Sequence, residues 1–321
     1  MDMDGTSIAE RRHLRRKLTF WRFAALLLVI AGLFVAWRAV KPDEAGADGD
    51  HVARVTISGV IQDDRELLER LDKIAKSAAA KALVVSISSP GGTTYGGERL
   101  YKALRQVAEK KPVVSDVRTL AASAGYIVAL AGDRIVAGET SITGSIGVLM
   151  QYPQAGELLD KIGVSIGEVK SAPLKAEPSP FHAASDEAKA MIRATVMDSY
   201  DWFVGLVAER RGLSRETVLP LADGRIVTGR QALGLKLVDE LGGDIEIRNW
   251  LATKGVDATL PVVEWKAPAT GSMFPLLGSM MRIAGFGDQA EAFDPATVLR
   301  EIRSRNLFLD GLLSVWQVGR D

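Results

Sequence analysis

The chain has 321 residues, of which 47% are hydrophobic, and its 40 basic residues balance its 40 acidic ones. This balance gives no overall positive field to attract nucleic acid, and outside the N-terminal tail no run of Lys or Arg alternates with aromatic residues. The absence of cysteine excludes disulfides, thiolate catalysis and zinc–sulfur sites. The length allows one large domain or two small ones, and no nucleic-acid partner is expected.

The N-terminal segment has the pattern of a membrane anchor. A cluster of basic residues precedes the apolar stretch 20–37, which at about 1.5 Å per residue spans most of a hydrocarbon core of about 30 Å. The positive charge predicts a cytoplasmic basic tail over 1–19, a single transmembrane segment over 20–37 and an extracytoplasmic remainder. A cleaved signal peptide is the alternative, with Ala45–Ala47 as the cleavage site. The apolar stretch is longer than an ordinary signal-peptide core, which favours the anchor.

The body of the chain alternates β-rich runs with helical stretches. Residues 38–50 are polar and are expected to form a linker. In chain order, the predicted elements are a strand over 51–61, a helix over 63–78, a strand over 81–89, a helix over 98–110, strands over 112–117 and 133–138, and helices over 185–211, 214–221, 232–237 and 244–254. This rhythm predicts one α/β domain over 51–265, a largely parallel sheet covered by helices. The extension 266–321 has an unknown role and contains apolar clusters over 273–277 and 307–316.

One hydroxyl stands out in the stretch Leu120–Leu130, which reads LAASAGYIVAL. Ser123 lies among small residues, directly before an apolar run that is expected to form a buried helix. One interpretation is an N-cap, because a serine oxygen accepts the unpaired amides of a first helical turn. The other is a nucleophile, because the same amides stabilise the negative charge of an oxyanion. The local sequence leaves both interpretations open.

Candidates for a general base are few. Of the three histidines, only His182 lies near other polar candidates, and no carboxylate is visible beside it to complete a Ser–His–Asp triad. No His, Asp and Glu cluster has the spacing of metal ligands, so no metal and no other cofactor is expected. A lysine can act as a base where burial keeps its amine uncharged. Lys175, between Leu174 and Ala176 in a proline-containing loop, fits best, with an exposed loop lysine as the alternative.

Two glycine-containing loops are candidates for the rest of a site. Ser89–Gly92 ends a buried strand, and glycine there lets backbone amides approach a ligand closely, although a tight turn would use the same residues. Thr140–Gly147 contains a second hydroxyl, Ser145, between glycines. The apolar run after Ser123 favours Ser123 over Ser145 as the nucleophile, because helix N-terminal amides stabilise negative charge. The residues alone do not rank the two serines with certainty.

Five segments together resemble the signal peptide peptidase A (SppA) family, in particular its short bacterial form with one anchor and one peptidase domain. In order they are SPGG, AASAGY, TGSIG, SAPLKAEPSPF and ADGRIVTGRQALGLKLVDELGG, and they lie between Val52 and Gly243. The resemblance implies a ClpP/crotonase-like α/β fold and a serine endopeptidase with a Ser–Lys dyad. The stretch after Lys266 lies outside it.

The resemblance also implies a role for each candidate residue. Ser123 is then the nucleophile, Lys175 the general base, and Ser145 the residue that hydrogen-bonds the lysine amine and orients it. The backbone amides of Gly92 and Ala124 would form the oxyanion hole. Many relatives have glycine where this chain has Ala124, but the donor is a backbone amide and is retained.

Finally, the resemblance implies a membrane-bound homo-oligomer. Short family members assemble eight protomers, with the serine and the lysine of each site contributed by neighbouring subunits, so the pKa of Lys175 would fall on assembly. The enzyme would face the periplasm from the bacterial inner membrane and degrade apolar remnants of signal peptides. One alternative is an acyl-CoA hydratase or isomerase of the same fold, which would need paired carboxylates in its pocket. Another is a non-catalytic membrane scaffold, which would be expected to lack the serine or the lysine.

Overall fold

A computed structural model describes residues 49–266 and 312–315, together with five helical residues, Trp21, Leu26, Leu27, Ile30 and Gly32. The predicted tail over 1–19, most of the predicted anchor over 20–37 and most of the extension 266–321 therefore lie outside the described residues. The chain divides into two compact units, Met1–Ala45 with Pro268–Asp294, and Gly46–Ala267 with Pro295–Asp321. Within the described ranges, no helix is long and apolar enough to cross a membrane.

The second unit is built on an eight-stranded sheet. The strands are β1 (His51–Ser58), β2 (Ala80–Ser89), β4 (Val113–Ala122), β5 (Arg134–Ala137), β6 (Ile142–Gly144), β7 (Ile226–Thr228), β8 (Glu240–Leu241) and β9 (Val262–Glu264), with β3 (Gly91–Thr93) outside this sheet. Their order is β7-β6-β4-β2-β1-β9, and β5 pairs with β4 and β8. Only the β6–β7 pair is antiparallel. The prediction of a largely parallel sheet in an α/β fold is confirmed.

Helices connect and cover these strands. They are α1 (Arg65–Lys76), α2 (Thr94–Ala108), α3 (Ala124–Ala129), α4 (Gly156–Lys161), α5 (Asp186–Arg211), α6 (Arg215–Val218), α7 (Gly229–Gly234) and α8 (Asp244–Thr253). The long helix α5 matches its prediction, because the Ser185 hydroxyl accepts from the Ala188 amide at 3.1 Å and Gly212 ends the helix with φ +61°. Helix α2 begins earlier than predicted, at Thr94, since the Thr93 hydroxyl caps the Gly96 amide at 3.1 Å.

The core occupies both faces of the central strand β2. Leu83, Val85 and Ile87 pack into the larger cluster, with α1, α2 and α3. Ala82 and Val84 point to the opposite face, where α8 covers them. Burial on both faces explains why this strand is a continuous apolar run, as in other parallel sheets. The central strands are therefore held rigidly at the place where their carboxyl ends meet.

A second, two-stranded sheet lies beside the first. Strand β3 pairs antiparallel with β10 (Leu313–Val315), which comes from the extension 266–321. Leu313 also forms an antiparallel bridge with Leu149 on its other side. The sequence predicted no element here, because a three-residue strand carries almost no periodic signal of its own.

Candidate active site

The predicted nucleophile, its predicted partner serine and the glycine loop all follow carboxyl ends of neighbouring parallel strands. In the register of the sheet, Ser89 is opposite Ala121 and Ala122 is opposite Gly144. Ser123 therefore directly follows β4. The residues that follow the neighbouring strands β2 and β6 lie at the same edge of the sheet, and the one after β6 is Ser145. Ligands of open α/β sheets bind at such an edge. The fold thus brings together three of the segments that the sequence selected.

Ser123 forms a sharp turn between β4 and α3. Its backbone has φ +58° and ψ −119°, a conformation that costs a residue with a side chain roughly 1–3 kcal/mol. The amide of Ser123 donates to the Gly144 carbonyl at 2.9 Å, and its side chain is only 1% exposed. A serine on a strained strand-to-helix turn is the arrangement of the nucleophile elbow in hydrolases.

The side chain of Ser123 does not cap the helix that follows. The Tyr126 and Ile127 amides instead donate to the backbone carbonyl of Ser123, at 2.8 and 3.0 Å. The N-cap interpretation of the Ser123 hydroxyl is therefore wrong. Helix α3 is held by its apolar side chains, all of which are buried, and by Tyr126, whose hydroxyl donates to the Leu237 carbonyl at 2.7 Å. Burial raises the pKa of Tyr126, so this donor stays protonated.

The two predicted oxyanion donors lie on two segments that adjoin Ser123, strand β3 and helix α3. The Ala124 amide belongs to the first turn of α3 and has no partner within the helix. On strand β3, a Cβ added to Gly91 would lie 3.0 Å from the Ser123 Cβ. A Cβ added to Gly92 would lie 1.9 Å from the Ile61 carbonyl oxygen, so only glycine lets this strand pass so close. The backbone at Gly92 is thereby held next to the serine.

Ser145 lies in a second strained turn at the same edge. It has φ +50°, is 8% exposed, and its amide donates to the Arg225 carbonyl at 2.7 Å. Non-glycine residues with positive φ in the described part of the chain are few, namely Ser123, Ser145, Ala176 and Lys236. Two of them are the candidate serines and a third directly follows Lys175. Strain of this kind accumulates at functional sites.

Lys175 is not beside Ser123 in the single chain. It lies in the exposed loop after α4, and its amine makes no hydrogen bond or ion pair with any residue that the structure describes. The expectation that the neighbours of Lys175 in the loop bury its amine is wrong for one isolated protomer. The predicted hydrogen bond from Ser145 to the amine is also not formed. The structure therefore places the two serines at one edge of the sheet, and Lys175 contacts neither of them.

The other lysine of this loop is bound by two carboxylates. The Lys170 amine lies 2.7 Å from both Glu168 and Glu177. Hydrogen bonds from Lys170 lower the pKa of Glu168 and of Glu177, and the two carboxylates raise the pKa of Lys170. An amine held in this way stays protonated and cannot take up a proton. Within the loop, Lys175 is thus the better candidate for a base.

His182 belongs to the same charged cluster. Its Nε2 lies 3.5 Å from both Glu168 and Glu177, and the residue is far from buried, with 46% of its side chain exposed. No carboxylate was predicted beside His182, whereas the structure places Glu168 and Glu177 there. Neither the histidine nor the carboxylates contact Ser123, so they do not form a triad with it. In the part of the chain that is described, no group of His, Asp and Glu could hold a metal ion.

One residue of the site, Ser314, was not predicted from the sequence. Its hydroxyl lies 2.6 Å from the Ser123 hydroxyl, and both side chains are 1% exposed. The only local signal was the apolar cluster over 307–316, within which the run LLSV favours a strand. Nothing in that run indicates its partner, which is 191 residues away in the sequence.

Comparison with known proteins supports the sequence resemblance. The profile of peptidase family S49 matches residues 105–258. A protein named as a protease in Synechocystis sp. is 39% identical over 203 residues, which are 63% of this chain and 73% of that protein. One named as signal peptide peptidase SppA in Enterococcus faecium is 34% identical over 252 residues, 74% of this chain and 73% of that protein. One named as a protease in Methanocaldococcus jannaschii is 34% identical over 215 residues, which are 67% of this chain and 69% of that protein.

The similarity and the geometry agree. The matched profile includes the Ser123 turn, both predicted serines and the loop with Lys175. A mostly parallel α/β sheet with a strained serine at its carboxyl edge is suited to acyl transfer. The chain therefore belongs to peptidase family S49 and is a serine peptidase of the SppA type.

Proposed function

We propose that this protein is a membrane-anchored endopeptidase that hydrolyses peptide bonds with Ser123 and with Lys175 of a neighbouring subunit. The observation that carries the proposal is the contrast between the two residues. Ser123 is buried and fixed by the sheet, whereas Lys175 is on a loop that is exposed among the described residues. A Ser–Lys dyad that is completed when subunits assemble accounts for both the burial of Ser123 and the exposure of Lys175.

The chemistry follows from the groups at the Ser123 turn. The uncharged Lys175 amine takes the proton of the Ser123 hydroxyl, and the oxygen attacks the carbonyl carbon of the peptide bond. The amides of Gly92 and Ala124 stabilise the negative charge that develops on the carbonyl oxygen. Lys175 then returns the proton to the leaving amine, and an acyl-enzyme remains. Water activated by the same lysine hydrolyses the ester and restores Ser123.

An apolar surface surrounds Lys175 and supports its burial by a second copy. We call residues 156–181 the apolar arm. Its helix α4 has no buried residue. Seven large apolar side chains of the arm are between 41% and 105% exposed, namely Leu158, Ile162, Val164, Ile166, Val169, Leu174 and Phe181. Exposed apolar side chains in this number favour an interaction surface. Covering it would remove water from the Lys175 amine and favour its uncharged form.

The number of subunits is part of the proposal. The resemblance to short SppA proteins implies a closed ring of eight. In a closed ring every protomer presents the same two surfaces, one to each neighbour, so every site is completed in the same way. The Ser123 edge and the apolar arm are the two surfaces that this symmetry requires.

The anchor and the compartment are proposed from the N-terminal sequence. The apolar stretch 20–37 follows a basic tail, which places the peptidase domain on the extracytoplasmic side of the bacterial inner membrane. Leu26, Leu27 and Ile30 are helical, and each is more than half exposed, as suits side chains that face lipid. Substrates would then be apolar peptides near the bilayer. Remnants of signal peptides fit this class, and a relative in Enterococcus faecium is named for them.

The hydratase alternative finds less support. Such an enzyme uses a pair of carboxylates in its pocket, and the candidate pair in the described ranges is Glu168 with Glu177. Both are bound to Lys170, and neither contacts Ser123 or the glycine strand beside it. Carboxylates held by an ammonium group are poor proton acceptors, because the pairing lowers the pKa of each.

Complementation between two inactive variants tests the proposal. Ser123→Ala and Lys175→Ala, each purified in detergent as the full chain, should both fail to cleave an apolar signal peptide. Co-expressed, they should form mixed rings in which about a quarter of the sites pair an intact serine with an intact neighbouring lysine, and recover about that share of wild-type activity.

Lys161→Ala is the matched control, because Lys161 is an exposed lysine of the same arm, and it should retain activity. Cleavage by either single alanine variant would contradict the dyad and would suit a different mechanism. Two inactive variants that recover nothing on mixing would instead place the lysine and the serine of each site in one chain. A wild-type protein that cleaves no peptide would favour the scaffold alternative.

A further inference from the structure

We propose that residues 312–315 are an inhibitory strand of this chain that occupies the peptide-binding groove and that the Ser314 hydroxyl holds the nucleophile idle. The inference rests on the proposed function, since it assumes that Ser123 is the nucleophile. The groove is the space between β3 and Leu149. The occupant is a segment of this same chain, present in the structure.

The strand is bound to the groove along both edges. On the β3 side, the Thr94 amide donates to the Leu312 carbonyl at 3.1 Å. On the other side, the Leu313 amide donates to the Leu149 carbonyl at 3.0 Å, and the Leu149 amide donates to the Leu313 carbonyl at 2.9 Å. Extended peptides bind to many proteins by adding a strand in this way. The groove is thus a site for an extended peptide, and a piece of the chain itself is in it.

The pairing of residues 313–315 with β3 also engages the Gly92 amide, which is a predicted oxyanion donor. Ser314 is directly opposite Gly92 in the antiparallel register. Because the backbone groups of Leu313 face Leu149, those of the next residue face β3, where Gly92 is their partner. A Cβ added to Gly91 would lie 2.3 Å from the Ser314 carbonyl oxygen, so the two backbones are in close contact. The Gly92 amide is then unavailable to a substrate.

The side chain of Ser314 fixes the direction of the proton of Ser123. The Ser314 hydroxyl lies 3.0 Å from the Gly147 carbonyl, which can only accept, so Ser314 donates its one proton there. The contact of 2.6 Å between the two serine oxygens therefore requires Ser123 to be the donor. The Ser123 proton, which a base must remove, is therefore hydrogen-bonded to the Ser314 oxygen, which is not a base. Ser123 cannot attack a peptide while this bond persists.

The arrangement is that of an inhibitor and not of a bound substrate. In a productive complex the Ser123 oxygen would face a carbonyl carbon, whereas here it hydrogen-bonds the hydroxyl of Ser314. Leu313 is 5% exposed, and its burial holds the strand in the groove. The strand has to leave before the Lys175 amine can accept the proton and a peptide can enter.

A disulfide tests the position of the strand without reference to activity. The chain contains no cysteine, so the double variant Ser123→Cys/Ser314→Cys has only the two introduced thiols. The contact between the two hydroxyls places their Cβ atoms near the separation that a disulfide needs. The control is Ser123→Cys/Val315→Cys, because the next residue of a strand points to the opposite face.

Under mild oxidation, the first variant should form a disulfide within one chain in most molecules, seen by intact mass after alkylation and on a non-reducing gel. The control should keep free thiols. Free thiols in the first variant, equal cross-linking in both variants, or a disulfide between two chains would each overturn the assignment of the strand to the groove of its own chain.

Peptide hydrolysis tests the inhibition. Leu313→Asp places a charge in a buried position, expels the strand, and should raise kcat/KM for an apolar peptide about tenfold, because a tethered competitor acts at an effective concentration of about millimolar. Ser314→Ala leaves the strand in place but removes the hydroxyl, and should give a smaller increase. A synthetic peptide of residues 309–318 should return Leu313→Asp to the wild-type rate, and the same peptide with the Asp substitution should not.

The outcomes separate the two proposals. If Leu313→Asp hydrolyses peptide no faster than the wild type while the disulfide forms, the strand occupies the groove without inhibiting, and the inhibitory role is overturned. If neither wild type nor Leu313→Asp hydrolyses any peptide, the proposed function fails, and the disulfide alone decides where the strand lies. A faster Leu313→Asp together with the disulfide supports the whole inference.

Discussion

The Ser123 edge and the apolar arm are built in opposite ways. Around Ser123 every element is fixed by the core, and each residue of α3 is buried. Around Lys175 the helix α4 contributes no buried residue, and the loop exposes its apolar side chains. The first region is packed within one protomer, and the second exposes apolar side chains. On the proposed function, a peptidase divided in this way becomes active only when its subunits assemble.

The difference also shows how strain is supported. The positive φ of Ser123 costs roughly 1–3 kcal/mol, which the burial of α3 against α2 offsets. Ala176, beside Lys175, has φ +62° in a loop without such packing. The residue that follows it, Glu177, is bound by the Lys170 amine. Four predictions test this contrast, and they follow from the largest expected effect to the smallest.

Gly92→Ala should disrupt the buried region most. The new Cβ would lie 1.9 Å from a backbone oxygen of Ile61, so β3 has to move away from Ser123. Loss of the oxyanion donor should lower kcat by about 10²–10³, and overpacking should lower the free energy of unfolding by about 1–3 kcal/mol. The control Gly205→Ala, where nothing lies within 4 Å, should stabilise α5 by about 0.5–1 kcal/mol. Similar behaviour of the two variants in peptide assays and denaturant titrations would contradict the role of β3.

Ile162→Asp should break the second region and leave the first intact. Ile162 belongs to the apolar arm and is 64% exposed, so a charge there blocks the interface without touching the core. We expect smaller assemblies by light scattering and at least about a tenfold loss of activity. Ile245→Asp is the matched control, because Ile245 is 71% exposed on α8, away from the arm. If both variants assemble and cleave like the wild type, the arm is not the interface.

Ser145→Ala tests the junction between the two regions. Its hydroxyl is proposed to orient the lysine amine without reacting, so we expect kcat to fall by about tenfold while KM changes little. The pH at which the rate is half-maximal should also move, since the base loses a hydrogen-bond partner. A purely structural role would lower stability and leave the pH profile where it is. An unchanged kcat would remove Ser145 from the site.

Asp116→Asn should have the smallest effect, a change in the pH dependence of stability. Asp116 is 2% exposed on β4, and burial raises its pKa against the opposing effects of Arg118 and the Ser86 hydroxyl. The folded protein therefore keeps this proton at a pH where the unfolded chain has lost it. The resulting stabilisation is full below the unfolded pKa of about 3.9 and is lost as the pH rises through the folded value.

Because asparagine does not titrate, the stability of the variant relative to the wild type should increase as the pH rises from about 4 through the folded pKa of Asp116. Urea unfolding at several pH values measures this difference. A constant difference across that range would mean that the Asp116 carboxyl titrates as it does in the unfolded chain.

Much of the Ser123 edge could be predicted from the sequence. An apolar run over 81–89 predicts a buried parallel strand, and parallel strands bring their carboxyl ends together, which agrees with Gly92 and Ser123 lying at one edge. The strand β6, which brings Ser145 to this edge, was not predicted, since it has only three residues. Helix α2 was harder, because Gly96 and Gly97 disfavour a helix. At these positions a Cβ would lie 2.8 Å from the Gln62 backbone and 3.2 Å from the Ala124 Cβ, so packing prevails over propensity.

Other features could not be read from the sequence for physical reasons. The pairing of Ser314 with Ser123 joins distant parts of the chain, and a strand of three residues has no pattern that specifies its partner. Lys175 is exposed among the described residues of its own chain, and on the proposed function its surroundings depend on a second subunit. Local propensity describes neither long-range pairing nor association, because both depend on the whole folded surface.

The groove beside Gly92 binds an extended segment through its backbone groups, and this has a consequence for the range of substrates. Main-chain amides recognise any extended polypeptide, so the greater part of a bound fragment is free to vary in sequence. A groove of this kind would accept extended peptides of many sequences.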